Sequence, residues 1–451
     1  ATDTRKRWLS LCAVLLSFSH IAAACGDEAD EDGGAAGETA EETTGGAETT
    51  GGDDGEASGV VTIFGPEVEG EADSLATAFD GFTEETGIEI SYSGDRGFSE
   101  LIGAQVEGGS PPDIGIFPQP GRVKDFATSG DLVPVPDDTL ATIEENFDPF
   151  WAELVTVDGT VYGVPNKGDL KSLVWYSPDA FEEGGYEIPE SIAELTELED
   201  QIIADGGTPW CIGIGSDAAT GWPFTDWMED WMLRMKGPEV YDQWVNHEIP
   251  FDDPQVVEVG QAVYDIWTKE GNTFPEANLA PSVLFAEAGL PLLDGDCFLH
   301  RQANFYAANW PEGTEVGPEG EVDAFYLPTI DDSFGTVVLG AGTHAVAFSD
   351  RPEVLEALAW FAGTEYANER APDGGFLSPN KNHDTSLYSN EIDKTFAEIL
   401  VSADPFRFDA SDLMPGAVGA DTFWTAAVDI TTGAKTVEEA FAEVEASWPA
   451  E

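Results

Sequence analysis

Residues 220–227 read TGWPFTDW, and their side chains suit the recognition of a hydroxylated ring. Trp222 offers a flat face to the axial C–H groups of a pyranose and an indole N–H for one of its hydroxyls. Thr220 and Asp226 stand beside it and supply polar contacts. Trp210, Trp222, Trp227 and Trp231 put four of the thirteen tryptophans in this one window. Spacing divides them. Trp227 and Trp231 are four apart, and Met228, Met232 and Met235 also repeat at helical intervals, the pattern of a packed helix face. Pro223 fits the first turn of that helix, which the pattern carries to about Lys236. Trp222 precedes it, on the Gly-rich loop after CIGIG (211–215), where a cleft mouth would lie. The expectation is that Trp222 faces a ligand and that Trp227 and Trp231 are core.

The elements that must position such residues are legible upstream. VVTIF (60–64) reads as a strand, followed by the turn Gly65-Pro66-Glu67 and a helix over about 71–86. IEISYS (88–93) is the next strand, FSELIGAQVEGG (98–109) an amphipathic helix, and PDIGIF (112–117) a third strand. Strands alternating with helices indicate βαβ units and a mostly parallel sheet. Open sheets of this kind bind ligands beyond the carboxyl ends of their strands. Glu67 follows the first strand, Asp95 and Arg96 the second, and Gln119 the third. Their forked polar groups suit vicinal hydroxyls, which need paired donors and acceptors. Two of them carry a second reading: Glu67 as a charge at a helix's positive end, and Arg96 as a neutraliser of local acid. Lys167 and Asp169, in PNKGD, end a further strand and add two more candidate hydroxyl contacts. The C-terminal part is mainly helical, as in RPEVLEALAWFAG (351–363) and VEEAFAEVEASW (437–448).

The chain carries 88 acidic residues against 18 basic ones, a formal net charge of −70. A field of that sign repels nucleic acid and anionic lipid headgroups, so neither is an expected partner. Self-repulsion of that size works against a compact state unless cations screen it. The calcium-loop motif D-x-D/N-x-D/N-G does not occur, and neither a metal nor a cofactor is expected. The five histidines are scattered and G-x-S-x-G is missing. A secreted glycosidase needs only two carboxylates about 5–10 Å apart, so composition leaves that reading open behind the binding one. A binding protein for a non-sugar solute is the third reading.

TRKRWLSLCAVLLSFSHIAAAC (4–25) has a basic start, an apolar run and small residues before Cys25. That is an export signal, too short for a comfortable membrane span. Ala22-Ala23-Ala24-Cys25 resembles a bacterial lipobox, in which Cys25 becomes the lipidated N-terminus; ordinary signal cleavage is the other reading. Residues 26–59 hold no aromatic and no basic residue, so they form a disordered acidic tether. With Cys12 in the signal and Cys25 at its end, Cys211 and Cys297 remain, outside the cell where disulfides persist. A bond between them is expected, with two buried thiols as the alternative.

From residue 60 to 451 the order of motifs resembles that of sugar-binding proteins of ABC importers, the maltodextrin-binding-like family. VVTIFGPEVEGEADSLATAFDGFTEETGIEI and PPDIGIFPQPGRVKDFATSGDLVPV resemble its first lobe. YGVPNKGDLKSLVWYSPDAFEEGGYEIPESIAEL looks like the crossing to the second lobe, and GTVVLGAGTHAVAFSDRPEVLEALAWFAG like the return. DLMPGAVGADTFWTAAVDITTGAKTVEEAFAEV resembles the closing segment. TPWCIGIGSDAATGWPFTDWMEDWMLR and GDRGFSELI are similar to the α-glucoside-binding branch. The resemblance implies an α/β fold of two lobes with interlobe hinge strands: 60–171 plus 336–377, and 172–335 plus 378–451. It implies no catalysis, an α-glucoside ligand, ABC permease subunits as partners, a monomer, and a place on the outer face of the cytoplasmic membrane, held only by the lipid anchor. It also implies further contacts. These are Trp310 in RQANFYAANWP with Arg301 bordering it, Trp424 in DTFWTAA, and Phe376 in GGFLSPNKN. Trp175, on the crossing strand, stands between hinge core and cleft.

The charge balance sets a first prediction. Raising ionic strength from about 0.1 M to about 1 M shortens the screening length from roughly 10 Å to roughly 3 Å. The thermal midpoint of the protein should therefore rise by several degrees across a NaCl series. A flat series would show that self-repulsion does not limit its stability.

Overall fold

The computed structural model describes residues 59–330, 332–402 and 405–449. The export signal, Cys25 and residues 26–58 of the expected tether lie outside the described residues.

The first sheet begins as the sequence pattern expects. β1 (Val60–Gly65) pairs in parallel with β2 (Glu89–Gly94) and with β3 (Ile114–Phe117). The connections are α1 (Glu69–Thr86) and α2 (Phe98–Glu107), and α3 (Pro120–Ser129) follows β3. α1 buries Leu75, Ala78, Phe79 and Phe82, a helical spacing that lays one apolar stripe on the sheet. β4 (Val164–Leu170) then leads towards a second sheet, which begins with β5 (Leu173–Tyr176). β6 (Trp210–Cys211), β7 (Thr273–Phe274), β8 (Leu299–Arg301) and β9 (Asp323–Tyr326) complete it in the order β9-β5-β8-β6-β7. β10 (Val338–Ala347) and β11 (Phe406–Phe408) return to the first sheet, whose order is β11-β10-β3-β1-β2 with β4 paired to β10.

The chain passes between sheets three times. Only Lys171 and Ser172 separate β4 from β5. The segment after β9 goes back to β10, and the segment after β11 leaves again. These passages are laced to one another. Lys171 N–H donates to the Leu339 carbonyl (2.9 Å), Leu327 N–H to that of Ser172 (3.0 Å), and Asp409 N–H to that of Gly340 (2.8 Å). Such a joint bends about a few residues rather than swinging on a free linker.

One expected boundary moves. The sequence reading assigns 378–451 whole to the second lobe, but the chain up to Phe408 stays with the first sheet. β11 is hydrogen-bonded to the edge of β10, and the helix over Glu391–Ser402 packs against β4. The last crossing falls at Asp409, after which α5 (Ala410–Leu413) and α6 (Trp424–Thr431) join the second side.

The helix α4 (Trp222–Lys236) ends where the sequence pattern places it. It is buried all round from Pro223 to Arg234, although it carries Asp226, Glu229, Asp230 and Arg234. Trp227 and Trp231 stack on each other with centroids 5.2 Å apart, and Trp210 and Trp267 meet Trp227 edge-on. Cys211 and Cys297 form a disulfide that ties β6 to the segment before β8. Trp231→Ala should cost about 3–5 kcal/mol of unfolding free energy, as for other buried Trp truncations. Trp222→Ala, at the half-buried helix start, should cost far less. Urea unfolding of both variants checks the division, and equal losses would contradict it.

Candidate functional site

The three crossings bring the carboxyl ends of β1, β2 and β3 opposite the loops of the second sheet, and a cavity lies between them. It encloses about 790 Å³ of space, open solvent at its mouth included. Glu67, Glu71, Arg96, Ser99 and Gln119 line it from the first sheet's side. Lys167, Asp169, Lys171 and Thr343 come from the crossing strands. Trp222, Phe285, Phe305, Asp409, Ser411, Asp412 and Trp424 close the other side.

Three aromatic rings form one wall. Trp222 lies 5.0 Å from Phe285 and 6.1 Å from Phe305, centroid to centroid. Each ring meets a cation supplied by the opposite side or the crossing. Arg96 Cζ is 4.6 Å from the Phe285 centroid, Lys167 Nζ 5.2 Å from Phe305, and Lys171 Nζ 5.3 Å from Trp222. The cations are themselves anchored. Arg96 Nη2 donates to Glu71 Oε2 (2.5 Å), and Lys171 Nζ to Asp226 Oδ1 (2.8 Å) and Asp409 Oδ2 (2.5 Å). Gly221 is required where Trp222 and Trp424 meet. Its φ is 124°, and a Cβ there would lie 2.3 Å from the Trp424 carbonyl oxygen.

Three polar atoms on the walls are buried without a hydrogen-bond partner: Glu67 Oε1, Asp169 Oδ1 and Trp424 Nε1. Of these only Asp169 Oδ1 has an ion-pair partner among the described residues, the Lys167 ammonium, at 3.6 Å, too long for a hydrogen bond. Each such group left unmade costs about 1–3 kcal/mol. Two acceptors and one donor therefore await a partner carrying O–H groups.

Of the residues singled out from sequence, Glu67, Arg96, Gln119, Lys167, Asp169, Trp222 and Trp424 line this cavity. The others are placed elsewhere, each for a local reason. Asp95 Oδ1 accepts from Gly97 N–H (2.7 Å) and so closes the turn that leads into α2. Thr220 Oγ1 accepts from Ser216 N–H and donates to the Asp217 carbonyl, closing its own loop. Asp226 and Arg301 lie beneath the floor in an ion cluster. Trp175 is fully buried, with its N–H on the Gln302 carbonyl (3.0 Å), and Trp310 packs edge-on against it at 5.9 Å. Phe376 is buried beneath Arg370, whose Cζ is 4.3 Å from the ring centroid. Sequence reasoning passed over Glu71, Ser99, Lys171, Phe285, Phe305, Thr343, Asp409, Ser411 and Asp412. Lys171 had a signal, since it lies four residues after Lys167, one position past the end of the same polar strand. Phe285 and Phe305 sit in irregular segments with no periodicity to mark them.

Residues 66–367 match the bacterial extracellular solute-binding proteins. The chain belongs to that family. The osmoprotective compounds-binding protein GgtB of Synechocystis sp. is 41% identical over 392 residues, 86% of this chain and 92% of its own. The alpha-glucosides-binding periplasmic protein AglE of Rhizobium meliloti is 40% identical over 403 residues, 86% of each chain. Among solved structures, the solute receptor AcbH, described as preferring β-D-galactopyranose, superposes with a TM-score of 0.75 at 19% identity, over 87% of this chain and 97% of that one. Maltose-bound MalE3 of T. maritima gives 0.66 at 18%, over 86% and 98%. These two share the two-lobed α/β fold. The protein is thus the solute-binding part of an ABC importer, a binding protein and not an enzyme, with sugar-binding relatives. No helix among the described residues is long and apolar enough to cross a membrane.

A buried cluster of charge runs from the wall of this binding protein's cleft to the layer beneath it. Asp226, Glu229, Asp230, Asp409 and Asp412 face Lys171, Arg234 and Arg301. Burial pushes the Asp226 carboxyl up to about 7 against the pull of Lys171. Burial and the neighbouring Asp409 charge raise Glu229 and Asp412 as well. Asp230 and Asp409 go the other way. Burial opposes their ionisation, but Arg301 and Arg234 beside the first, and Lys171 beside the second, hold them below the ordinary value. Carboxylate oxygens of Asp226, Glu229 and Asp409 lie within 4.8 Å of one another, a spacing a cation can bridge. The Lys171 ammonium already bonds two of the three.

Groups held high bind protons more tightly folded than unfolded, so stability falls as pH rises between their unfolded and folded values. For Asp226 that window runs from 3.8 to about 7. Asp230 and Asp409, held low, lose their contribution only as pH drops below 3.8. The buried His300 and His344, held down to about 4, act in the opposite sense over part of this range, so the variant and not the wild-type slope isolates the carboxylate. Asp226→Asn should raise the thermal midpoint near pH 8 relative to that near pH 5, compared with the wild type. A variant with the same pH dependence as the wild type would contradict the assignment.

Proposed function

We propose that the protein captures an α-glucoside between its two lobes and delivers it to an ABC permease. In this reading it is a monomer held at the outer face of the cytoplasmic membrane by a lipidated Cys25. The observation that carries the ligand class is the set of buried atoms without a hydrogen bond, Glu67 Oε1, Asp169 Oδ1 and Trp424 Nε1, beside the ring wall. Hydroxyls donate to the first two and accept from the third, while Trp222 stacks on the C–H face of a sugar. The name of AglE supports the α-glucoside, and that of GgtB supports a small osmoprotective solute.

A cationic osmolyte is the second reading, because aromatic rings also hold quaternary ammonium groups. Here each of the three rings already meets Arg96, Lys167 or Lys171, which favours a neutral polyhydroxylated solute. A ligand touching residues of both sides favours the closed arrangement over the open one. Affinity is expected near micromolar, about −8 kcal/mol.

Intrinsic tryptophan fluorescence in high salt, titrated with trehalose, sucrose, maltose and palatinose, tests the proposal. At least one sugar should give a saturable change, weakened about tenfold or more (about 1.4 kcal/mol) in Trp222→Ala and Trp424→Ala. A folded protein silent to all four sugars and responsive to a quaternary ammonium osmolyte would move the function to the second reading.

A further inference from the structure

A second cavity of about 1240 Å³, counting its mouth, adjoins the cleft. Arg96, Ser99, Ala219 and Trp424 line both. Beyond that shared wall lie the outer face of α2, the start of α3 and the segment around Gly416–Asp421. Arg122, at the start of α3, is the residue that calls for an explanation.

In a chain with 88 acidic residues a guanidinium finds a carboxylate easily. Arg122 has not done so: among the described residues it makes no ion pair and no hydrogen bond, and its Nε is buried without a partner. Its nearest ring, Phe126, is 6.0 Å away. Burial lowers its pKa against the fields of Asp125 and Asp421. Two glycines make room for it. A Cβ at Gly103 would stand 3.3 Å from Nη2, and one at Gly416 3.0 Å from Nη1. The guanidinium is thus slotted between α2 and the segment after α5, on the wall of the second cavity.

Two kinds of group would satisfy such a fork, an anion or a pair of hydroxyls. The rest of the wall decides between them. Glu100, Glu107 and Asp421 outnumber Arg96 and Arg122, and Arg96 is already paired with Glu71. An anionic group meets net repulsion there, whereas hydroxyls accept from Arg122 and donate to the carboxylates.

We propose that this second cavity takes an uncharged hydroxylated unit, a second pyranose or a short polyol, joined to the glucosyl unit in the cleft. Arg122 is its specificity-determining contact, and Trp424 is the wall the two units share. The inference rests on the α-glucoside reading and adds that the ligand has two parts, read by different residues.

Calorimetry with methyl α-D-glucopyranoside, and with trehalose, sucrose and maltose, tests it through a ratio. In the wild-type protein at least one two-unit sugar should bind more tightly than the methyl glucoside. Arg122→Ala should reduce that advantage about tenfold. Ala104→Phe, on the exposed face of α2 that lines the cavity, should do the same by filling it, and it guards against a folding defect in the arginine variant. Equal weakening of one-unit and two-unit sugars, or an unchanged ratio in both variants, would overturn the inference and leave the α-glucoside reading standing. A folded wild-type protein that bound none of the four sugars would overturn both.

Discussion

The Lys171 ammonium, bonded to Asp226 and to Asp409, is the interaction on which the rest of the structure depends. Lys171 lies at the first crossing, Asp226 on the buried helix of the second side, and Asp409 at the last crossing. One cation thus joins two passages of the chain to the lobe they serve. Burying it is expensive, and only close pairing with hydrogen-bonded carboxylates offsets that cost. Asp409 is prepared for this role by Ser411 Oγ–H and Asp412 N–H, which donate to its other oxygen. Glu229 in turn accepts from the Ala410 and Ser411 N–H groups, so the start of α5 is held by acids on both sides.

The binding wall follows from that arrangement. Lys171 also lies over the Trp222 ring, and Asp409, Ser411 and Asp412 reach the cavity because the last crossing is pinned beneath it. The aromatic wall of the cavity and the ion cluster at the crossings therefore share a residue. A change in how Lys171 is held alters the floor of the site and the joint together. The π-helical turn Val418–Phe423 delivers Trp424 to the same cleft. Such turns often mark functional positions.

An excess of buried acid fits the composition of the chain. With 88 carboxylates and 18 bases, cations are scarce, yet five of the described ones serve the cleft or the cluster beneath it. Three meet rings in the cleft, and two more, Arg234 and Arg301, hold Asp230 beneath it. The surface is left acidic, a matter of solubility and screening rather than of fold.

The sequence by itself determined the βαβ start, the helix over 222–236, the Trp227–Trp231 core pair and the disulfide partners. Each rests on local periodicity or on the elimination of other cysteines. It also determined which residues follow the first three strands, so Glu67, Arg96 and Gln119 were legible as wall residues. What only the tertiary structure decided is what the crossings bring together. Asp409 and Asp412 stand more than two hundred residues from Lys171, and Phe285 and Phe305 lie in irregular segments without a local pattern. Trp310, Phe376 and Trp175 are as aromatic as Trp222, and an isolated ring in a sequence does not show which of its faces the other lobe will cover. Asp226 looked like a ligand contact for the same reason: its helix is buried all round, and the partner that claims its carboxylate comes from another part of the chain. Hydrogen bonds and packing within one element are written at short range, whereas the walls of a cleft are set by long-range closure.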